Sequence, residues 1–483
     1  TATTFHGDGS GLTGAGSTAF IKQDVTAVSG TTTINLNDGN IIYLTHSNNT
    51  TIAFSNVKTA DDITIIRTLT DNTITWPAAI TWNGGSAPTL AGANSYSKTG
   101  QVFNLVTADG GTTWYGYEEV NNTSLQPHDW FNWGRNTYGA LGQNQPDNNK
   151  YSSPVQIPGT WWKPISWANQ QYCFGGLKND GTLWLWGYNG YGNLGLNSRT
   201  DYSSPVQVPG TTWSDAAMHS QNIALAAKTD GTLWAWGLQA DNGGLGQNNR
   251  TNYSSPVQIP GTTWGTSSDK VACMTNTAAA IKTDGTLWSW GENTTGILGQ
   301  NSRTDYSSPV QVPGTTWSTI VAYDKAFQAF KTDGTMWTWG FNQQGMLGIN
   351  QPHNTYRSSP VQVPGTTWSS GSSNGGDNHM KAIKTDGTLW IWGWQTGGNF
   401  GNNQTSQPAS SPVQIPGTNW ETVGGDRTGL AIKTDNTLWA WGLGSDGQLG
   451  QNDLTQRSSP VQIPGTTWKK VGGTIYAPVA LKT

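Results

Sequence analysis

Short runs of apolar residues, separated by Gly, Asn, Asp and Thr, recur along most of this chain. In Leu183-Trp184-Leu185-Trp186 every position is apolar. In a strand the leucines point to one face and the tryptophans to the other. Such a strand must be covered on both sides, which a layer exposed on one face cannot provide. The unit from Trp213 to Gly261 shows the local pattern: a run after Trp213, then Ile223 to Lys228, Leu233 to Trp236, and Pro256 to Ile259. Asp230-Gly231 predicts a tight hairpin, because Gly tolerates positive φ. Pro260-Gly261 predicts a type II turn. Each unit therefore reads as four short antiparallel strands.

The unit repeats. Trp-Gly steps begin at Trp133, Trp186, Trp236, Trp290, Trp339, Trp392 and Trp441. The Pro of Ser-Pro-Val-Gln falls at Pro154, Pro205, Pro256, Pro309, Pro360, Pro412 and Pro460. A period of about fifty residues built from short strands predicts a β-propeller, here with seven blades over residues 123–483. Ala480-Leu481-Lys482-Thr483 opens an eighth copy whose continuation is Trp130-Phe131-Asn132-Trp133-Gly134. One blade is thus predicted to take two strands from each terminus, which removes the open edges of the ring. The Leu-Gly pair after each Trp-Gly step, replaced by Phe400-Gly401 in the sixth copy, is expected to fold the long loop back onto its blade.

The first 122 residues read differently. Residues 1–20 form a Gly/Ser/Thr-rich connector. From 21 to 122, β-branched runs such as Thr32 to Leu36, Ile41 to Leu44, Thr51 to Phe54 and Ile63 to Arg67 alternate with turns. Spacing of about ten residues predicts a small β-sandwich-like domain, so the whole chain is expected to be all-β.

Composition narrows the function. Charged residues are 11% and the net charge is −4; a protein that grips phosphate backbones needs a basic face, so nucleic acid is not expected as a partner. No apolar run reaches the length of a membrane span, so membrane insertion is not expected. Cys173 and Cys273 lie two repeats apart and read as buried free thiols. The six histidines show no metal-ligand spacing, and no metal or cofactor is expected. No catalytic constellation stands out. The repeated Asp of Asp-Gly reads as a turn residue and the repeated Trp as core.

Gly-Thr-Leu-Trp-x-Trp-Gly-x-Asn-x-x-Gly-x-Leu-Gly, as in Gly285 to Gly299, resembles the repeat of the regulator of chromosome condensation family. The resemblance implies a seven-bladed propeller. That family includes exchange factors, a plant ultraviolet photoreceptor and secreted enzyme inhibitors. The Gly-Trp-Arg-His-Thr phrase of the photoreceptor is absent here. The Gly7-Asp8-Gly9-Ser10-Gly11-Leu12-Thr13-Gly14 phrase and the stretches Ile80 to Gly85 and Gly111 to Tyr115 resemble phage tail-fibre and other virion appendage proteins. That resemblance implies a virion or extracellular location, a homotrimeric state and contact with other virion proteins through the N-terminal region.

The repeats are uneven, and the unevenness is positional. Successive turns of an up-down blade alternate between the two faces of the ring. The Asp-Gly and Pro-Gly turns share one nearly uniform face. The opposite face carries two variable loops. The loop between the first and second strands offers Gln170, Gln171, Tyr172, His219, Ser220, Gln221, Tyr323, Asp324, Lys325, Asp377, Asn378, His379, Asp426 and Arg427. The loop after Trp-Gly offers Tyr138, Tyr188, Tyr191, Gln239, Asp241, Glu292, Phe341 and Trp394. These residue types make binding surfaces. The expectation is a non-enzymatic appendage whose propeller recognises a host cell-surface glycan or protein. Decoration of a capsid or tube, and a protein-binding propeller such as an enzyme inhibitor, are the alternatives.

Overall fold

The computed structural model describes residues 22–82, 101–119 and 128–482, apart from 28–29, 39–40, 47, 59–60, 68–72, 108, 110, 146–148, 162, 169–171, 179, 220–221, 240–241, 268, 324, 377–378, 406–407 and 474–475. The chain divides into two compact units, 1–126 and 127–483. The expected 1–20 connector lies outside the described residues.

In the second unit seven sheets form the blades of a propeller. Blade 3 is representative, with strands Trp213–His219, Ile223–Lys228, Leu233–Gly237 and Tyr253–Ile259 paired antiparallel in that order. Leu233, Ala235 and Trp236 of its third strand are buried and Trp234 is half-buried, so both faces are covered, as the apolar run requires. Leu225, Leu233 and Leu245 pack with Trp264, Val271 and Ala280 of blade 4 in one cluster. The core is thus a series of seams between blades.

Two polar clasps reinforce each seam. The indole of the Trp-Gly tryptophan reaches back to the preceding blade: Trp186 Nε1 donates to the Ala140 carbonyl at 2.8 Å, Trp236 to Asn193 at 2.9 Å and Trp290 to Gly244 at 3.0 Å. Trp133, Trp339, Trp392 and Trp441 do the same. The second clasp is a left-handed Asn in the loop after the third strand. Asn248 has φ 52° and its N–H donates to the Ser307 carbonyl of the next blade at 2.9 Å. Asn144, Asn197, Asn301, Asn350, Asn403 and Asn452 repeat both the angle and the bond.

The Leu-Gly pairs serve this arrangement. Leu245 is buried and its N–H donates to Gln239 Oε1 at 2.8 Å, which holds the loop. Gly246 sits against the next blade: a Cβ there would lie 2.8 Å from Trp290 Nε1.

Blade 1 joins the two ends of the ring. Strand His128–Arg135 pairs with Lys150–Trp161 on one side and Pro478–Lys482 on the other, with Trp468–Gly473 innermost. Two strands come from each end, as expected from the split eighth copy. Asp129 faces Lys482 and Trp130 faces Leu481 across that junction.

The inner strand of blade 2 departs from the pattern. Lys163–Pro164 pairs within the blade, but Ser166–Ala168 runs parallel to Trp213–His219 of blade 3. This crossover brings Lys163 against Asp215 at 2.7 Å and Asp269 at 3.4 Å. Asp215 also accepts from the Lys270 N–H at 2.8 Å and the Val271 N–H at 3.3 Å. Burial opposes the charge on Lys163, but the two carboxylates outweigh it and raise its pKa. A buried ammonium survives only with such partners. Cys173 and Cys273 are both buried and in no disulfide, and burial pushes both thiols up.

The first unit has two sheets around one core, as a sandwich would, but its strands run differently. Lys22–Ala27, Ile41–His46 and Asp61–Arg67 are parallel neighbours in one sheet. Gly30–Asn35, Thr50–Ser55 and Ile74–Thr75 are parallel neighbours in the other. Each step of about ten residues carries the chain from one sheet to the other, so two steps make a coil. Gln101–Thr107 and Trp114–Glu119 then extend the first sheet antiparallel. Ile34, Ile42, Leu44, Ile52, Ile65 and Phe103 fill the core.

Candidate recognition face

The variable loops cluster their aromatic residues at three stations. The first spans blades 1 and 2. The ring centroid of Tyr138 lies 5.2 Å from that of Tyr172 and 5.1 Å from that of Tyr188, and Tyr188 lies 6.2 Å from Tyr191. Tyr138 and Tyr191 are each 39% exposed. Tyr138 holds a left-handed backbone, φ 54°, inside a short 3-10 turn at Thr137–Gly139. A bulky residue there is strained, and such strain gathers at functional surfaces. Gly190 makes room beside it: a Cβ at Gly190 would lie 2.1 Å from the Tyr188 hydroxyl. Burial, followed by the neighbouring Tyr191, raises the Tyr188 phenol's pKa.

The second station spans blades 4 and 5. Phe341 stacks on Tyr356 at 4.8 Å, Arg303 lies over Tyr356 at 4.4 Å, and Lys325 lies 6.0 Å from Phe341. The third is Arg427 over Trp394 at 5.9 Å, between blades 7 and 6. These pairs are cation–aromatic contacts of a kind that proteins use in recognition. Glu292 is half-buried, its carboxylate accepting from Asn276 at 3.1 Å and Thr294 at 2.8 Å.

Other residues expected on this face are turned inward. Gln239 is buried and organises its own loop, accepting from Leu245 N–H and donating to the Asn249 carbonyl at 2.5 Å. Asn189 and Asn293 hold Leu194 and Leu298 in the same way. Tyr323 is buried and donates to Gln328 at 2.7 Å. His219 and His379 are buried at strand ends, near Thr275 and Asn399 at 3.4 Å. Asp426 is buried, and its carbonyl, with those of Gly424 and Gly425, receives the Lys381 ammonium at 3.3, 3.1 and 2.7 Å. Burial lowers the pKa of Lys381 to about 7. Gln170, Gln171, Ser220, Gln221, Asp241, Asp324, Asp377 and Asn378 lie outside the described residues.

Sequence reasoning missed Arg303 and Tyr356. Tyr356 belongs to the nine-residue outer strand Thr355–Val363, longer than the seven-residue outer strand Tyr306–Val312 of blade 4. The available signal was the loop from Gly348 to Ser358, two residues longer than Gly299 to Ser307 of blade 4.

The family model described as the RCC1-like domain matches residues 129–477. The chain belongs to the RCC1-like domain family. Prp20p from Saccharomyces cerevisiae superposes with a TM-score of 0.65 at 18% identity, over 75% of this chain and 94% of its own. Human WBSCR16 superposes with a TM-score of 0.63 at 17% identity, over 74% of this chain and 99% of its own. Both likenesses concern the fold. The ultraviolet-B receptor UVR8 of Arabidopsis thaliana is 27% identical over 187 residues, 37% of this chain and 41% of that protein. The probable E3 ubiquitin-protein ligase HERC4 of Mus musculus is 28% identical over 202 residues, 39% of this chain and 18% of that protein. The chain thus spans less than half of these curated relatives. Its RCC1-like propeller is a fold of binding and regulatory domains.

Proposed function

We propose that this RCC1-like chain is a non-catalytic recognition protein of a virion appendage, whose loop face binds a glycan receptor on a host cell. The four-tyrosine patch of Tyr138, Tyr172, Tyr188 and Tyr191 carries the reading. It is partly exposed and pre-shaped by the left-handed turn at Tyr138, which recurs in blade 5 at Gln344 without a tyrosine. Aromatic rings stack on sugar faces, and the cationic stations around Phe341 and Trp394 widen the surface. The appendage role rests on the N-terminal phrases that resemble tail-fibre segments.

Binding of residues 1–483 to glycan arrays and to whole host cells tests this. The double variant Tyr138→Ser/Tyr191→Ser should lose at least about tenfold in affinity, the size of a modest hot spot. Equal binding by wild type and variant, or no binding by folded protein to any host, would overturn it.

A soluble protein partner is the second reading. It is favoured by the partners that solved family propellers name: Gsp1p and histones for Prp20p, and Kap60 for yeast RCC1. Stoichiometric capture of a host protein, abolished by the tyrosine variant, would select it.

A further inference from the structure

Lys163 and Asp215 touch where water does not reach. Lys163 Nζ lies 2.7 Å from Asp215 Oδ1, and the two side chains are 9% and 1% exposed. In the pair of Lys150 with Asp446, by contrast, the lysine is 49% exposed. Burial disfavours both ions, whereas an amide has no charge to desolvate. A buried amine and carboxyl in contact therefore have a second course besides attraction, which is to condense and release water.

The surroundings supply what that reaction needs. Asp215 Oδ2 accepts from the Lys270 N–H at 2.8 Å and the Val271 N–H at 3.3 Å. Two backbone donors aimed at one oxygen stabilise the negative charge that develops when a carbonyl carbon is attacked. On the other side, Asp269 Oδ1 lies 3.4 Å from Lys163 Nζ, and its side chain is 32% exposed. Asp269 thus touches the amine and also reaches solvent, as a proton carrier must. Burial raises the pKa of the Asp215 carboxyl, toward the neutral acid that an amine can attack. The two carboxylates hold Lys163 as its ammonium, which slows the attack. However, the bond has to form only once in each molecule. Fixed contact supplies an effective concentration on the order of 10⁵–10⁸ M.

We propose that Lys163 and Asp215 join in an isopeptide bond that the protein forms by itself. Asp269 takes a proton from the Lys163 ammonium, and the freed amine attacks Asp215 Cγ. The oxyanion forms on Oδ2, against the Lys270 and Val271 N–H groups. The Cγ–Oδ1 bond then breaks and Oδ1 leaves as water. One ammonium proton stays on the amide nitrogen. The other two leave with the water, passed over by Asp269, which ends ionised as it began.

The bond falls where the ring is least well stitched. The inner strand of blade 2, Lys163–Pro164, is two residues long, against seven in Trp213–His219 of blade 3. Pro164 brings no N–H to the ladder, and the chain then crosses to pair with blade 3. A link from Lys163 to Asp215 closes a covalent loop around blade 2 and ties its short inner strand to the next blade. Such a link restrains the unfolded chain as a disulfide does, in a protein whose two cysteines are in no disulfide. The proposal does not depend on what the loop face binds.

Intact mass spectrometry of the denatured full chain tests it. The expected mass is that of the sequence less one water. Proteolysis should yield a branched peptide that joins the Lys163 and Asp215 segments. Lys163→Arg keeps a cation but offers no amine, and should show its full sequence mass. Asp269→Asn removes the proton carrier and should leave most chains uncross-linked, because such a group contributes about 10²–10⁴-fold to a rate. Wild type at full mass, both as purified and after prolonged warming of the folded protein, would overturn the proposal. So would a water loss that persists in Lys163→Arg, since Asp-Gly turns such as Asp230-Gly231 lose water as succinimides without any lysine. The branched peptide from wild type decides the matter even where Lys163→Arg fails to fold: its presence supports the bond, and its absence overturns it.

Discussion

The indole nitrogen of Trp236 lies 2.9 Å from the carbonyl oxygen of Asn193, in the blade before its own. Both groups are buried. Trp236→Phe keeps most of the apolar area but strands the Asn193 carbonyl. The expected loss is about 1–3 kcal/mol, the cost of an unsatisfied buried polar group. A urea midpoint equal to wild type would show that the bond contributes nothing.

The second clasp depends on backbone handedness. Asn248, at φ 52°, occupies a region that costs most L-residues about 1–2 kcal/mol and Gly almost nothing. Asn248→Ala should therefore destabilise by about 1 kcal/mol and Asn248→Gly by clearly less. Chemical denaturation of the pair reads the difference. Equal losses in the two variants would mean that the Asn side chain, which accepts from the Ser307 hydroxyl at 3.1 Å, and not its backbone angle, holds the seam.

Ring closure can be tested by removing strands. A chain ending at Gly465 lacks Trp468–Gly473 and Pro478–Lys482, the two strands that complete blade 1. His128–Arg135 then has an open edge, an invitation to aggregation. Circular dichroism melts should show a lower, less cooperative transition. An unchanged melt would rule out a stabilising role for the shared blade.

The ionic centre predicts a coupled pair. Lys163→Met leaves Asp215 buried without its ammonium and should cost about 3–5 kcal/mol. Adding Asp215→Asn removes the stranded charge while keeping an acceptor for the Lys270 and Val271 N–H groups. The double variant should recover a substantial part of the loss, so the two effects should not add. Additive losses would argue against a direct ion pair.

Acid sensitivity follows from two buried histidines. Burial lowers the pKa of both His219 and His128 to about 4, against an ordinary value of 6.5. The folded state thus favours the neutral rings. Their stabilisation is complete above pH 6.5 and is lost as pH falls toward 4, where the unfolded chain binds protons that the fold refuses. His219→Gln should flatten this slope by up to about 1.4 kcal/mol per pH unit. An unchanged pH profile would mean that His219 already titrates normally.

Much of the propeller was legible because its repeated residues act locally. Leu233 and Trp236 in one strand, Asp230-Gly231 and the split final copy specify strands, a turn and a shared blade without distant information. The coil of the first unit was not legible. Alternation and turn spacing at Ile42, Leu44, Ile52 and Ile65 are the same whether neighbouring strands run parallel or antiparallel. The recognition face was partly legible. Tyr138, Tyr188 and Tyr191 come together, but Gln239, Tyr323, His219 and His379 point inward. A loop position does not fix which side of a strand end a residue takes. Aligning Gln239 with Asn189 and Asn293 would have exposed its role, since all three are amides holding the following Leu. Lys163 and Asp215 offered a similar signal: each stands two residues after an inner Trp, where Thr319 and Thr422 occupy the same place.

The junction at Asp129 and Lys482 has a further consequence. Because these residues are strand neighbours and every seam uses the same clasps, the ring has no intrinsic first blade. A short linker from Lys482 to His128, with a new cut in the exposed loop near Asp201, would yield a circular permutant with the same seven seams. The order in which the gene spells the blades is then a matter of history, and the fold is indifferent to it.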